Sequence, residues 1–319
     1  MHAEALADSM NEGASVLPGR RILQMAHNHP AFHAGGTEMT ALALHHAARD
    51  VGMDSWFLGA LDRTQVKANL GTQMIALSED HREAALYVEN FRRFALAQDD
   101  YFGFHRELRT YLEAMRPDVV HVHHLLNFGL EALHVTRRAL PGVRIVLTLH
   151  DYYLICPNKG RLYVEETRKR CTGPTQAGCL TCFPQKSASD LTMRRLDIAN
   201  ALSLCDVIVS PSHFLKETFE RALGSSLTIR VVENAHLGED MPRLPRQATP
   251  PGEIVFGYFG NISTVKGMDD LLEAVEILDR RGTTGFKLRV HGEQLLEDAR
   301  LHDRMLEAEK QFGGRIHLT

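Results

Sequence analysis

Residues 20–39, RRILQMAHNHPAFHAGGTEM, run from an apolar segment at residues 22–26 to a glycine pair, Gly35 and Gly36, where a helical stretch begins. A short apolar run, a polar loop and a helical pattern make one strand-to-helix step. The glycine pair has two uses. It lets the backbone turn, because glycine tolerates dihedrals that other residues resist. It also lets an anionic group approach the exposed amides of a helix start. The pair alone does not choose between them.

Working outward, the same step recurs almost from end to end. DSWFLG, DVVHVH, VRIVLTL, DVIVSP, TIRVVEN, EIVFGYF and FKLRVHG read as strands, several rich in Val and Ile as strands buried on both faces are. Helical spacing lies between them. Its clearest case is Met268, Leu271, Leu272, Val275 and Leu278, with Asp269 and Asp270 at the start and Arg280, Arg281 and Gly282 at the close. Such alternation predicts an α/β protein with parallel sheets covered by helices. The one break is MPRLPRQATPPGE, residues 241–253, with four prolines and no apolar periodicity. The expected organisation is a flexible leader (1–19), a first Rossmann-like domain (20–240), a linker (241–253) and a second α/β unit (254–319) that ends after RIHL.

A chain of 319 residues is too long for one small core, which agrees with two domains. The net charge of -4 offers no basic face for nucleic acid. No apolar run approaches the roughly twenty residues of a membrane span. The first nineteen residues lack the order of a secretion signal. These features read as a cytoplasmic protein.

Four of the five cysteines, Cys156, Cys171, Cys179 and Cys182, crowd into one insert (156–184) that is polar and short of core residues. In a cytoplasmic chain that clustering argues against a disulfide framework. One Cys-x-x-Cys pair plus two looser cysteines allows a tetrahedral thiolate site for a structural zinc; four free thiols and redox activity are the other readings. Between Phe91 and Tyr111, aromatic and basic side chains mix, as in a helix that leans on anionic lipid or a lipid-linked acceptor. Asp99, Asp100 and Glu107 dilute the pattern, and an amphipathic helix packing on its own domain is the stronger reading.

Ligands of open parallel sheets bind beyond the carboxyl ends of the strands. The residues just past the predicted strands are distinctive: His27, His29, His33 and the glycine pair; His121, His123 and His124; His150 and Asp151; Ser210 and Ser212; Gly260, Asn261 and Lys266; Gly292 and Glu293. Two such edges facing each other would form a cleft.

The order and spacing of GGTE, PDVVHVHH, LTLHDYYLICP, SPSHF, VVEN and FGNISTVKGMDDLLEA resemble glycosyltransferase family four, retaining sugar-nucleotide enzymes of the GT-B fold, and are most similar to bacterial members that build surface polysaccharides. The resemblance implies two Rossmann-like domains, the first for acceptor and the second for donor. It places Gly35 and Gly36 beside the donor phosphates and Lys266 against the diphosphate. Asn261 stands where the family commonly has an arginine, and Gly292 follows the next strand on the donor side. It sets His150 next to the transferred sugar as the catalytic group, with His123 and His124 as an acceptor-side wall. The implied ligands are a UDP- or GDP-sugar and a glycan or lipid-linked acceptor, with peripheral contact at the inner membrane and no catalytic metal. The usual glutamate pair of the family's second domain has no counterpart before the chain stops. The expectation is therefore a truncated or split enzyme, weakly active alone, with the missing part on another chain. A non-catalytic carbohydrate- or partner-binding GT-B module and a GT-B sugar-nucleotide epimerase are the alternatives.

Overall fold

The computed structural model describes residues 18–164, 166–167, 169–224, 227–234, 252–292 and 299–318. The expected leader and linker lie almost wholly outside these residues. The chain divides into two compact units between Glu239 and Asp240.

In the first unit the strands are β1 (Arg21–Ala26), β2 (Asp54–Asp62), β3 (Met74–Ala76), β4 (Glu83–Val88), β5 (Phe91–Arg92), β6 (Ala97–Gln98), β7 (Val119–Val122), β8 (Arg144–Thr148), β9 (Tyr163–Val164), β10 (Lys169–Arg170), β11 (Val207–Ser210) and β12 (Ile229–Val231). The helices are α1 (Gly36–Asp50), α2 (Tyr101–Met115), α3 (Glu131–Ala139), α4 (Gln176–Cys182), α5 (Ala188–Leu202) and α6 (His213–Leu223). Eight strands form one sheet in the order β12-β11-β8-β7-β1-β2-β4-β3. All its pairings are parallel except β3 with β4. Leu23, Met25, Val120, Val122, Ile145 and Leu147 are buried along its central strands, which is why those strands read as continuous apolar runs.

The helices start where side chains satisfy their first amides. Asp100 caps α2, Ser212 caps α6, and Ser187 with Asp190 forms a capping box on α5. α2 buries Phe104, Leu108, Leu112 and Met115 in the core of its own unit, the packing that its spacing predicts. Two strands of the sheet, β3 and β4, escape the sequence reading. The apolar part of β4 is only Ala84, Ala85 and Leu86 before Tyr87, too short and too alanine-rich to stand out from helix or loop.

The second unit has β13 (Ile254–Phe259), β14 (Phe286–His291) and β15 (Ile316–Leu318), all parallel in that order, with α7 (Met268–Arg280) and α8 (Ala299–Phe312). Met268, Leu272 and Val275 of α7 pack with Leu288, Val290 and Phe312, as the helical spacing predicts.

Candidate active site

β7 lies between β1 and β8 in the sheet. Residues just past the carboxyl ends of these three strands therefore meet. His27 follows β1, His123 and His124 follow β7, and His150 and Asp151 follow β8 by one to three residues.

Gln24, buried in the middle of β1, accepts from Nε2 of His123 at 2.9 Å through its Oε1. That bond puts the proton of His123 on Nε2, so its Nδ1 accepts from Nε2 of His150 at 3.1 Å. The relay holds the His150 ring and leaves its Nδ1 as an acceptor. The His123 and His150 rings stack with centroids 5.3 Å apart, and His121 lies 4.1 Å from His123 while bonding Thr148 at 2.8 Å. Burial lowers the His150 imidazole to about 4, with His124 adding to the effect and Asp151 opposing it. Burial likewise takes His121 to about 4 and His123 well below its ordinary value. At neutral pH this row of imidazoles is uncharged.

Beside it runs a hydrogen-bonded pair of different origin. Leu126 N–H donates to Nδ1 of His124 at 2.9 Å, so Nε2 of His124 carries a proton toward Asp151 Oδ2 at 3.1 Å. Burial alone would raise Asp151, but His124 and the Tyr153 amide hold it below the usual carboxylate range. The His27 ring lies tilted against that of His124 with centroids 4.4 Å apart, and its Nε2 reaches Glu38 Oε1 at 3.1 Å. Burial lowers His27 well below its ordinary value and raises Glu38.

Gly35 and Gly36 open α1, with Gly35 as its N-cap. A Cβ on Gly35 would lie 2.5 Å from Glu38 Oε2, whereas one on Gly36 would meet nothing within 4 Å. The two glycines thus differ in role. Gly35 makes room for the buried Glu38 carboxylate over the helix start, and Gly36 leaves the approach to the helix open.

In the second unit Asn261 and Gly292 follow β13 and β14 at their carboxyl ends. Lys266 ends the single turn Thr264–Lys266 that leads into α7, and its backbone amide donates to Ser263 O at 3.1 Å. Tyr258 donates to the backbone oxygen of Asn261 at 2.8 Å, which fixes the loop, and Asn261 itself is exposed.

None of the five cysteines forms a disulfide. Burial raises the Cys179 thiol, and Cys156, Cys171 and Cys182 raise it further. Among the described residues the cysteines form no group of three or more whose ligand atoms lie within 4.8 Å of one another. Among the described residues, the group of three or more such side chains with ligand atoms within 4.8 Å of one another is His45, His46 and Glu83.

The profile of Glycosyltransferase Family 4 matches residues 34–235, more than half of the chain. The chain belongs to Glycosyltransferase Family 4. It is thereby a glycosyltransferase. Its fold is similar to that of HepE from Anabaena, solved in complex with UDP and glucose (14% identity, 94% of this chain and 68% of that one, TM-score 0.51). It is also similar to the catalytic domain of starch synthase IV from Arabidopsis thaliana, bound to ADP and acarbose (12% identity, 94% and 74%, TM-score 0.53). A third is the UDP-forming α,α-trehalose-phosphate synthase from Burkholderia xenovorans, in complex with glucose-6-phosphate (12% identity, 94% and 74%, TM-score 0.53). At these identities the likeness shows the fold, GT-B. No curated protein sequence matches the chain. No helix among the described residues is long and apolar enough to cross a membrane.

The strand-end histidines expected from the sequence do come together. Gln24 and Glu38 escape the sequence reading, although each leaves a signal. A glutamine inside a buried strand demands a partner, and GGTE sets an acid in the first turn of a helix that starts with glycine.

Proposed function

We propose that the chain moves a sugar from a UDP- or GDP-sugar to a glycan or lipid-linked acceptor in polysaccharide biosynthesis, with retention at the anomeric carbon. The observation that carries this reading is the Gln24–His123–His150 relay, which holds a neutral imidazole at the strand ends with Nδ1 as an acceptor. A hydroxyl of the transferred sugar donates to that nitrogen, and the ring braces the sugar while positive charge develops at the anomeric carbon. An uncharged imidazole suits this task, because a cation would oppose an oxocarbenium-like transition state. His123 and His124 form the acceptor-side wall. In the second unit Asn261, Lys266 and Gly292 receive the donor diphosphate, where one ammonium meets its charge. In the first unit Gly35 and Gly36 leave the amides and the dipole of the α1 start open to an anionic group.

Two substitutions separate chemistry from binding. His150→Ala should lower kcat roughly 10- to 100-fold and leave the donor Kd nearly unchanged, because the contact strengthens at the reacting sugar. Lys266→Ala should instead weaken donor binding roughly 10- to 100-fold, the loss of one charge-assisted bond. Calorimetry with UDP- and GDP-sugars, alongside initial rates, reads both. Equal losses of kcat and affinity in His150→Ala would assign that histidine to ground-state binding alone.

A structural zinc held by Cys156, Cys171, Cys179 and Cys182 is part of the same proposal. The four thiols share one short insert with little core of its own, and a tetrahedral ion would draw their sulfurs together. Elemental analysis of protein purified without chelator should find about one zinc per chain that Cys179→Ser loses. Four thiols that titrate freely in the native protein would refute it.

A further inference from the structure

We infer that His45, His46 and Glu83 form a second cation site, thiolate-free and separate from the histidine row of His150, that ties α1 to β4. The ligand atoms of these three side chains lie within 4.8 Å of one another. Two further observations point to a ligand. His45 is fully buried, and its Nε2 has no hydrogen-bond partner. A buried ring nitrogen left unpaired is costly, and a bound cation would satisfy it. Its other nitrogen, Nδ1, meets the buried Ser55 Oγ at 3.0 Å. With Nδ1–H donating there, Nε2 presents its lone pair.

The third ligand is oriented in the same way. Ala31 N–H donates to Nδ1 of His29 at 3.2 Å, so Nε2 of His29 donates to Glu83 Oε2 at 2.9 Å. Glu83 Oε1 is left facing His46 Nε2 at 3.5 Å. Outer partners that fix the tautomer of a histidine and the rotation of a carboxylate are what a metal site requires around its ligands. Two imidazoles and one carboxylate suit zinc and its neighbours in the divalent transition series, at about 2.0–2.2 Å from each ligand atom. The ion would pin the carboxyl-terminal half of α1, the helix whose first turn carries Gly36 and Glu38. It would act on the site through the seating of that helix.

Cobalt(II) is the probe, because its spectrum separates this site from the cysteine insert. Thiolate ligation gives intense near-ultraviolet charge-transfer bands, and nitrogen–oxygen ligation gives only visible d–d bands. Titration of the full chain should show about one equivalent of the thiolate-free species. His46→Ala and Glu83→Gln should each weaken that equivalent at least tenfold. Neither change should alter the thiolate bands, and the metal-free Tm should move by no more than about 2 °C, since His46 is exposed and Gln conserves the shape of Glu83. A titration with no thiolate-free bands, or wild-type affinity in both variants, would overturn the site.

Discussion

Arg194→Ala is expected to destabilise the first unit by about 3–5 kcal/mol, since each of three buried carbonyls left without its donor costs about 1–3 kcal/mol. Arg194 is 6% exposed. Its guanidinium donates from Nε to the carbonyl of Phe94 at 2.7 Å, from Nη1 to Leu154 at 2.8 Å and from Nη2 to Tyr153 at 2.8 Å. No carboxylate is among these partners, and burial lowers its pKa to about 10, so it stays protonated at neutral pH. Truncation would leave three carbonyls without their donors and a void in place of the side chain. Arg194→Lys should recover only part of the loss, because one ammonium cannot reproduce a planar fork reaching three acceptors. Tyr153 and Leu154 stand shortly after His150 and Asp151, so the same change should also loosen the histidine row and lower activity. Urea unfolding followed by near-ultraviolet circular dichroism reads the stability. An unchanged midpoint would mean that the carbonyls find other donors.

Gly292→Ala should cost the second unit about 3 kcal/mol, the upper end for one residue forced into a disfavoured backbone region. Gly292 has φ 157°, and a Cβ there would overlap the carbonyl oxygen of Gly260, itself at φ 144°. The two loops are further locked by Gly260 N–H donating to His291 O at 3.1 Å. The obstacle is backbone, so no rotamer change relieves it. The loops after β13 and β14 must separate, and with them the proposed donor residues Asn261 and Gly292. Hydrogen exchange on the amides of β13 and β14 should accelerate together. Gly36→Ala is the matching control, because nothing lies within 4 Å of its added methyl. Stability should be unchanged there, and any loss should appear in donor binding alone. Protected amides in Gly292→Ala would show that the loops can part without strain.

Nine strands of this chain are legible as strings, from RRILQMA to RIHL; for the central strands of the first unit the reason is that parallel strands covered on both faces must be apolar at nearly every position. The helix Met268–Arg280 is legible for a related reason: its apolar side repeats at helical spacing and its ends carry the expected charges and glycine. β4 is not, since its burial comes from its neighbours and hardly shows in its own residues. The amphipathic segment before Pro117 likewise fits either a lipid surface or a protein core, and only the packing of α2 onto Leu133 and its neighbours settles where its apolar face lies.

Fold class, the alternation that makes parallel sheets, and the gathering of histidines and glycines at strand ends are all written in the amino-acid order. Periodicity and composition are local properties, and they reflect which faces of an element meet water. Which of those residues touch is a matter of the folded chain alone. Gln24 lies 99 positions from His123 and His29 lies 54 from Glu83, yet each pair is joined by a hydrogen bond. The roles of Gly35, of His45 and of the four cysteines differ in the same way. Each depends on the distance between side chains brought together by strand order and register, and neither of these is a property of any short stretch of chain.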